Sequence, residues 1–222
     1  MKTNLILITA LVVMTSCESI LLKSMFKDPK VENTATIKKF QTENDFSTAN
    51  SLILKSDTSK AEKKLFLGMT VDYAIFDKNG NQMCYKGAIT CHGIQFEQLM
   101  AGKVDSFEIC KKNGKTLDTI IQQTYDLEEK AVDISKFKDT DYYIVSYWEK
   151  FFGGAKRYKS NVCNLEDLIA KSASNYKFTH FKINTDLQEN WGYEPGGEAK
   201  LTLKKNSNNT MDIKITDFPI KK

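Results

Sequence analysis

Five cysteines and two histidines are the side chains of this 222-residue chain able to carry nucleophilic, redox or metal chemistry. Cys84, Cys91, Cys110 and Cys163 lie in the body of the sequence, and Cys17 lies near its start. Four thiols in an exported protein allow three pairings, and spacing alone does not choose among them. Cys84 and Cys91 are close enough for a bridge across a turn, but they match neither a C-x-x-C redox pair nor a zinc spacing. Burial as small hydrophobic groups is the competing reading for all four. Cys91 beside His92 has the composition of a thiol and its base, yet neighbours along a strand point to opposite faces. Cys163, Cys91 and Cys84 are therefore the reactive-thiol candidates, each set against a structural role. Neither His92 nor His180 has a carboxylate or histidine partner at metal-ligand spacing, so neither a metal nor a cofactor is expected. The chain also lacks a phosphate-cradling glycine loop, a nucleophile elbow and an H-E-x-x-H helix.

The second constellation is aromatic. Trp148, Phe151 and Phe152 run into Gly153, Gly154 and Ala155, with Lys150, Lys156 and Arg157 beside them. Two readings stand side by side. The rings pack around a tight turn, or they stay exposed and, flanked by cations, form a protein-binding surface. Trp191 could join the same patch.

The elements that must position these residues follow from periodicity. Tyr142 to Trp148 is apolar on both faces, as expected of a central strand covered by helices. Ala155, Tyr158, Val162, Leu165, Leu168 with Ile169, and Ala173 recur every three to four residues, the trace of one buried helix face about 28 Å long. Tyr176 to Ile183 reads as the next strand, which closes a right-handed β-α-β unit. Upstream, Val71, Tyr73 and Ile75 alternate along a strand, and Asn79-Gly80 marks a hairpin turn whose partner is Gln82 to Lys86. Gln95 to Met100 reads as a short helix stopped at Gly102, and Ser106 to Cys110 as a strand followed by a second Asn-Gly turn at 113–114. Leu117 to Tyr125 suits either period; the preceding turn favours a strand. Ala199-Leu201-Leu203 and Met211-Ile213-Ile215 form a final amphipathic hairpin around the polar loop that holds Asn208-Asn209-Thr210.

Composition narrows the function. The 41% hydrophobic and 27% charged content is ordinary for a globular protein. The net charge of +4 comes from scattered lysines without an aromatic-interleaved basic stripe, so no nucleic-acid partner is expected. Lys2 followed by the apolar run Leu5 to Val13 is too short to span a bilayer, which takes about 20 residues. It reads as a cleaved signal peptide over 1–16. Glu18 to about Lys64 lacks a sustained apolar period and reads as a solvated spacer.

Met14-Thr15-Ser16-Cys17 resembles the lipobox of bacterial lipoproteins, although Met14 stands where leucine is usual. The resemblance implies a lipidated Cys17, and several acyl chains would anchor it stably at about 0.8 kcal/mol per buried CH2. It places the protein in the bacterial cell envelope, at the periplasm or the cell surface, with the membrane as one partner.

The last third resembles the thioredoxin family, and more particularly its envelope-anchored, TlpA-like branch. Ala131-Val132-Asp133-Ile134-Ser135-Lys136-Phe137 resembles the approach to that family's central strand. Tyr142 to Trp148 resembles the strand itself, the segment from Trp148 to Tyr176 has the length of its active-site turn and helix, and Lys182-Ile183-Asn184-Thr185-Asp186 resembles the following strand end. What the resemblance implies is a three-layer α/β domain, a mixed sheet with flanking helices, over 126–222. A β-rich part over 65–125 and a lipid-anchored spacer over 17–64 precede it. It also implies a cis-proline, for which Pro195 is the candidate, and a helix cut down to Leu187 to Gly192. Phe152 and Ala155 occupy the places of the two redox cysteines. The expected function is thus a non-catalytic envelope lipoprotein that binds or scaffolds another, unidentified envelope protein. The alternative is a thiol-disulfide oxidoreductase or peroxidase-like enzyme that works through Cys163, Cys84 or Cys91. A small-molecule or glycan binder needs a concave pocket that sequence cannot show.

Overall fold

The central strand is β7 (Tyr142–Trp148), and its neighbours explain why it is apolar on both faces. In the computed structural model, residues 26–55, 73–87, 92–110, 116–172, 176–205 and 211–222 are described. The leader, Cys17, Cys91, the second Asn-Gly turn and the 206–210 loop lie outside them. In chain order the elements are β1 (Val31–Glu32), α1 (Thr34–Glu43), β2 (Ser51–Leu54), β3 (Tyr73–Asp77), β4 (Gln82–Tyr85), α2 (His92–Met100), β5 (Phe107–Ile109), α3 (Leu117–Ile121) and β6 (Thr124–Asp126). After β7 come α4 (Gly154–Tyr158), α5 (Asn164–Ala170), β8 (Phe178–Asn184), β9 (Leu187–Gln188), β10 (Lys200–Lys205) and β11 (Met211–Thr216).

Seven strands form one mixed sheet in the order β5-β4-β3-β7-β8-β2-β6. β7 and β8 are parallel, in register from Tyr142 opposite Phe178 to Trp148 opposite Asn184, and β2 continues the parallel run. β3 closes on the other side of β7 antiparallel. The chain is therefore α/β with a mixed sheet. Tyr143, Val145, Tyr147, Phe181 and Ile183 point to one face, where α3, the turn after β7 and the β10–β11 hairpin cover them. Ile144 and Trp148 point to the other, under α1, α2, α4 and α5 through Ile37, Phe96, Tyr158, Val162 and Leu165.

Several sequence expectations change. Residues 26–55 are not a spacer: β2 sits inside the sheet between β8 and β6, and Ile37 on α1 is fully buried. The cause is side-chain placement: Asn33 caps α1 in a two-way box with Thr36, and single apolar residues (Val31, Ile37, Leu52 to Leu54) do the burying that no periodic run announces. Nor do 65–125 and 126–222 separate, because β3, β4 and β5 extend the sheet that β7 and β8 begin.

Leu117 to Tyr125 is not one strand. Thr116 accepts the Thr119 N–H at 3.3 Å and starts α3, whose Leu117, Ile120 and Ile121 share one buried side. The long helix after β7 runs on from α4 to α5 through a π turn, Lys159–Cys163, which shifts its phase. Leu168, expected on the buried face, is 42% exposed, while Ile169 packs inward. The terminal hairpin exists but pairs only with itself. In place of the shortened helix stand β9, a single 3-10 turn over Glu189–Trp191 and Gly192 at φ 91°. No cis peptide occurs among the described residues, so Pro195 is not the cis-proline the resemblance implies.

Candidate functional site

The turn after β7 is fixed by glycine and by a buried polar knot. Gly153 has φ 73° and Gly154 φ 51°, both left-handed. A Cβ on Gly153 would also meet the Arg157 Cβ at 2.7 Å, whereas Gly154 faces open space. Only glycine takes this bend without strain.

The aromatic residues of the turn point inward. Trp148 is 4% exposed, Phe151 3%, Phe152 8% and Trp191 3%. Phe152 stacks on Phe26 with centroids 4.3 Å apart, and the Arg157 guanidinium lies 3.8 Å from the centre of its ring. Trp148 lies on the opposite face of the sheet, edge-on to Tyr158 at 4.5 Å and stacked on Phe40 at 5.7 Å. Trp191 shares a cluster with Phe151 and Phe152, and its Nε1–H donates to the Leu54 carbonyl at 2.9 Å. An exposed aromatic surface made of Trp148, Phe151, Phe152 and Trp191 is thus corrected to packing. Burial gains more than exposure would, at about 25 cal/mol per Å² of apolar surface. Gly153, Gly154 and Ala155 are half-exposed around these rings.

Behind the turn, the Asn184-Thr185-Asp186 strand end forms the knot. The Lys150 N–H donates to both Asp186 carboxylate oxygens at 3.0 and 2.9 Å, and the Asn184 amide donates to one of them at 2.7 Å. Gln188 donates to Asn184 Oδ1 at 3.1 Å, and the Thr185 N–H to the Trp148 carbonyl at 2.9 Å. The Lys150 ammonium reaches Glu32 at 2.6 Å. Two buried carboxylates, Glu32 and Asp186, thus share the neighbourhood of one ammonium, and Glu149 is buried beside Thr185. Burial and then the Glu32 charge push the Asp186 carboxyl from 3.8 up to about 7, against the Asn184 and Lys150 donors that favour its charged form. Glu32, Gln188 and Phe26 escaped the sequence reading, and Lys150 was read only as a flanking surface cation. Glu32 and Phe26 fall in the stretch read as a solvated spacer, and no periodic pattern flags a buried charge.

The thiols are not gathered at the turn. Cys84 and Cys110 form a disulfide between β4 and the end of β5, with Cα atoms 5.1 Å apart, so Cys84 does not pair with Cys91 and is not a free thiol. Cys163 is free and half-buried in the π turn; burial and Glu166 push its thiol up, with Lys182 partly opposing. A raised thiol carries less thiolate, which is the nucleophile. Cys91 lies outside the described residues.

On the helix-covered face, His180 Nε2 sits 2.8 Å from the Ser146 hydroxyl, and burial lowers the imidazole to about 3, which keeps it neutral. The fully buried Lys182 donates to Glu166 at 2.7 Å and to the Ser47 carbonyl at 2.8 Å. The first contact ties β7 to β8, and the second ties β8 to α5 and to the loop after α1. A concave site does exist, about 230 Å³ and lined by Asn33, Tyr125, Gln188, Glu189 and Asn190 among others. Much of its wall is self-partnered: Asn190 donates to the Tyr125 hydroxyl and Asn33 to Glu189, each at 2.7 Å.

No family model matches the chain, and no curated protein or solved structure resembles it closely enough to count as a match.

Proposed function

We propose that the chain is a redox-inactive, thioredoxin-like lipoprotein of the bacterial envelope that binds or scaffolds another envelope protein. The observation that carries this reading is the closed turn after β7. At the nucleophile's place the Phe152 ring is shut between Phe26 and Arg157, and Ala155 stands at the resolving place. No disulfide exchange runs on carbon. The parallel β7–β8 pair around the helix supports the thioredoxin-like part. The Cys84–Cys110 bridge supports export, because such bonds persist in oxidising compartments. For a partner, β5 is an outer strand of the sheet and Ile109 on it is 55% exposed, a combination suited to adding an extended segment.

The test is insulin reduction, together with oxidation of a reduced scrambled substrate, by the purified chain. Rates should equal background and stay there in Cys163→Ala, and alkylation of Cys163 at pH 6 should be slow. Turnover above background that disappears in Cys163→Ala, or with the Cys84–Cys110 pair removed, would move the protein to the thiol-enzyme class.

A further inference from the structure

Among the described residues the β10–β11 hairpin has no place in the main sheet, yet together with the tail after it the hairpin holds the chain's surplus charge. Residues 199–222 contain six lysines against two aspartates, an excess equal to the net +4 of the whole protein. Strand alternation sorts them. Leu201, Leu203, Ile213 and Ile215 turn toward the body, while Lys200, Lys204 and Lys214 are exposed on the outer side. That side is not purely basic, since Asp212 lies across from Lys204.

What lies along this hairpin is the N-terminal strap. The Leu201 N–H donates to the Asp28 carboxylate at 2.8 Å, and the Ala199 N–H to the Pro29 carbonyl at 2.9 Å. The exposed pair Lys30–Glu198 closes the same seam at 2.8 Å. Just before it, the Lys27 N–H donates to the Phe151 carbonyl at 2.8 Å, and Phe26 is stacked on Phe152. The strap thus passes the start of β10 at Asp28 and Pro29 and reaches the turn after β7 at Phe26, where described structure begins. From there to Cys17 is nine residues of sequence, at most roughly 30 Å of extended chain.

We infer that the lysine face of the hairpin, Lys200, Lys204 and Lys214, is a contact surface for anionic lipid headgroups. This rests on the reading of Cys17 as a lipid anchor: a tether so short holds the hairpin next to the leaflet that receives the acyl chains. Surface attraction fades over about 8 Å at physiological salt, and a tether of at most roughly 30 Å keeps the hairpin within a few such lengths of the leaflet, where its charge can act on each approach. Each lysine near an anionic leaflet then contributes about a factor of five in partitioning. Anchor and charge together hold the domain in one orientation.

The experiment has two arms. Mass spectrometry of the protein from membranes, with Cys17→Ala as control, tests the anchor by itself. For the face, the chain from residue 17 carrying Cys17→Ser, which keeps every described residue, is sedimented with vesicles of phosphatidylcholine alone or with 30 mol% phosphatidylglycerol. Binding to the anionic vesicles only, weakened by salt, is expected. The triple variant Lys200→Glu, Lys204→Glu, Lys214→Glu should lose on the order of 100-fold. A variant with the same charge change at exposed lysines elsewhere, Lys103→Glu, Lys138→Glu, Lys171→Glu, should lose far less, and matching melting curves show that all of them fold. Equal loss in both variants, no loss in the first, or no preference of the parent chain for anionic vesicles overturns the inference, whatever the anchor arm gives.

Discussion

Replacing Asp186 by asparagine should change how stability depends on pH, and the size of the change follows from the knot behind the turn. The Asp186 carboxyl is 1% exposed and is pushed from 3.8 up to about 7 by burial and the neighbouring Glu32. Below pH 3.8 the group is protonated in folded and unfolded chains alike and costs nothing. As pH rises toward 7 the unfolded chain releases its proton while the folded chain keeps it. Stability is therefore fully present at low pH and is lost across that window, after which the loss is constant. At about 1.4 kcal/mol per pH unit, the wild type should lose about 4 kcal/mol between pH 4 and pH 7 through this one residue. The amide introduced by Asp186→Asn cannot titrate. The variant gives up a carboxyl that accepts from the Lys150 N–H and the Asn184 amide, a cost of about 1–3 kcal/mol that is already present at pH 4. It should be the less stable protein at pH 4, and the gap should close or invert by pH 7.5. Urea denaturation of both proteins from pH 4 to 7.5 measures this, because titrating groups remote from Asp186 cancel in the difference. A gap that stays constant within about 0.5 kcal/mol over that range would refute the assignment of Asp186 as a buried, proton-holding carboxyl.

Two further outcomes follow from the fold. Gly153→Ala should cost more than Gly154→Ala in thermal or urea unfolding. Both pay about 1–2 kcal/mol for a left-handed backbone, but only the first adds a Cβ contact with Arg157 at 2.7 Å. Replacing Cys84 and Cys110 together by alanine should lower stability by about 3 kcal/mol in urea, since the bridge closes a 26-residue separation. The same loss should appear in the parent protein under strong reductant and not in the double variant, which separates the bond from packing.

Much of the sheet was legible because it is carried by local chemistry. The two-sided apolarity of β7, the Asn79-Gly80 turn between β3 and β4, Gly102 after α2 and the alternation of the terminal hairpin all appear where sequence places them. The failures share a cause. Leu52 to Leu54 is three residues long and sits in a polar stretch, and only the parallel pairing with β8 makes it an interior strand. Leu117 to Tyr125 changes from helix to strand in nine residues, too few for either period to declare itself. The aromatic cluster was legible as a cluster, with packing and exposure both open. Its exposure depended on Phe26, a residue 126 positions earlier that lies against Phe152.

The sequence by itself determined that the turn after β7 holds no sulfur: Phe151, Phe152, Gly153, Gly154 and Ala155 offer no thiol, and no packing changes that. It also determined the β-α-β unit around the turn, because hydrophobic period is a local property. Tertiary structure alone decided that Cys84 joins Cys110, that the rings face inward and that Asp186 sits among carboxylates. Those facts depend on which distant segments come to lie side by side, and so does the cost of a buried charge or the choice of a thiol's partner.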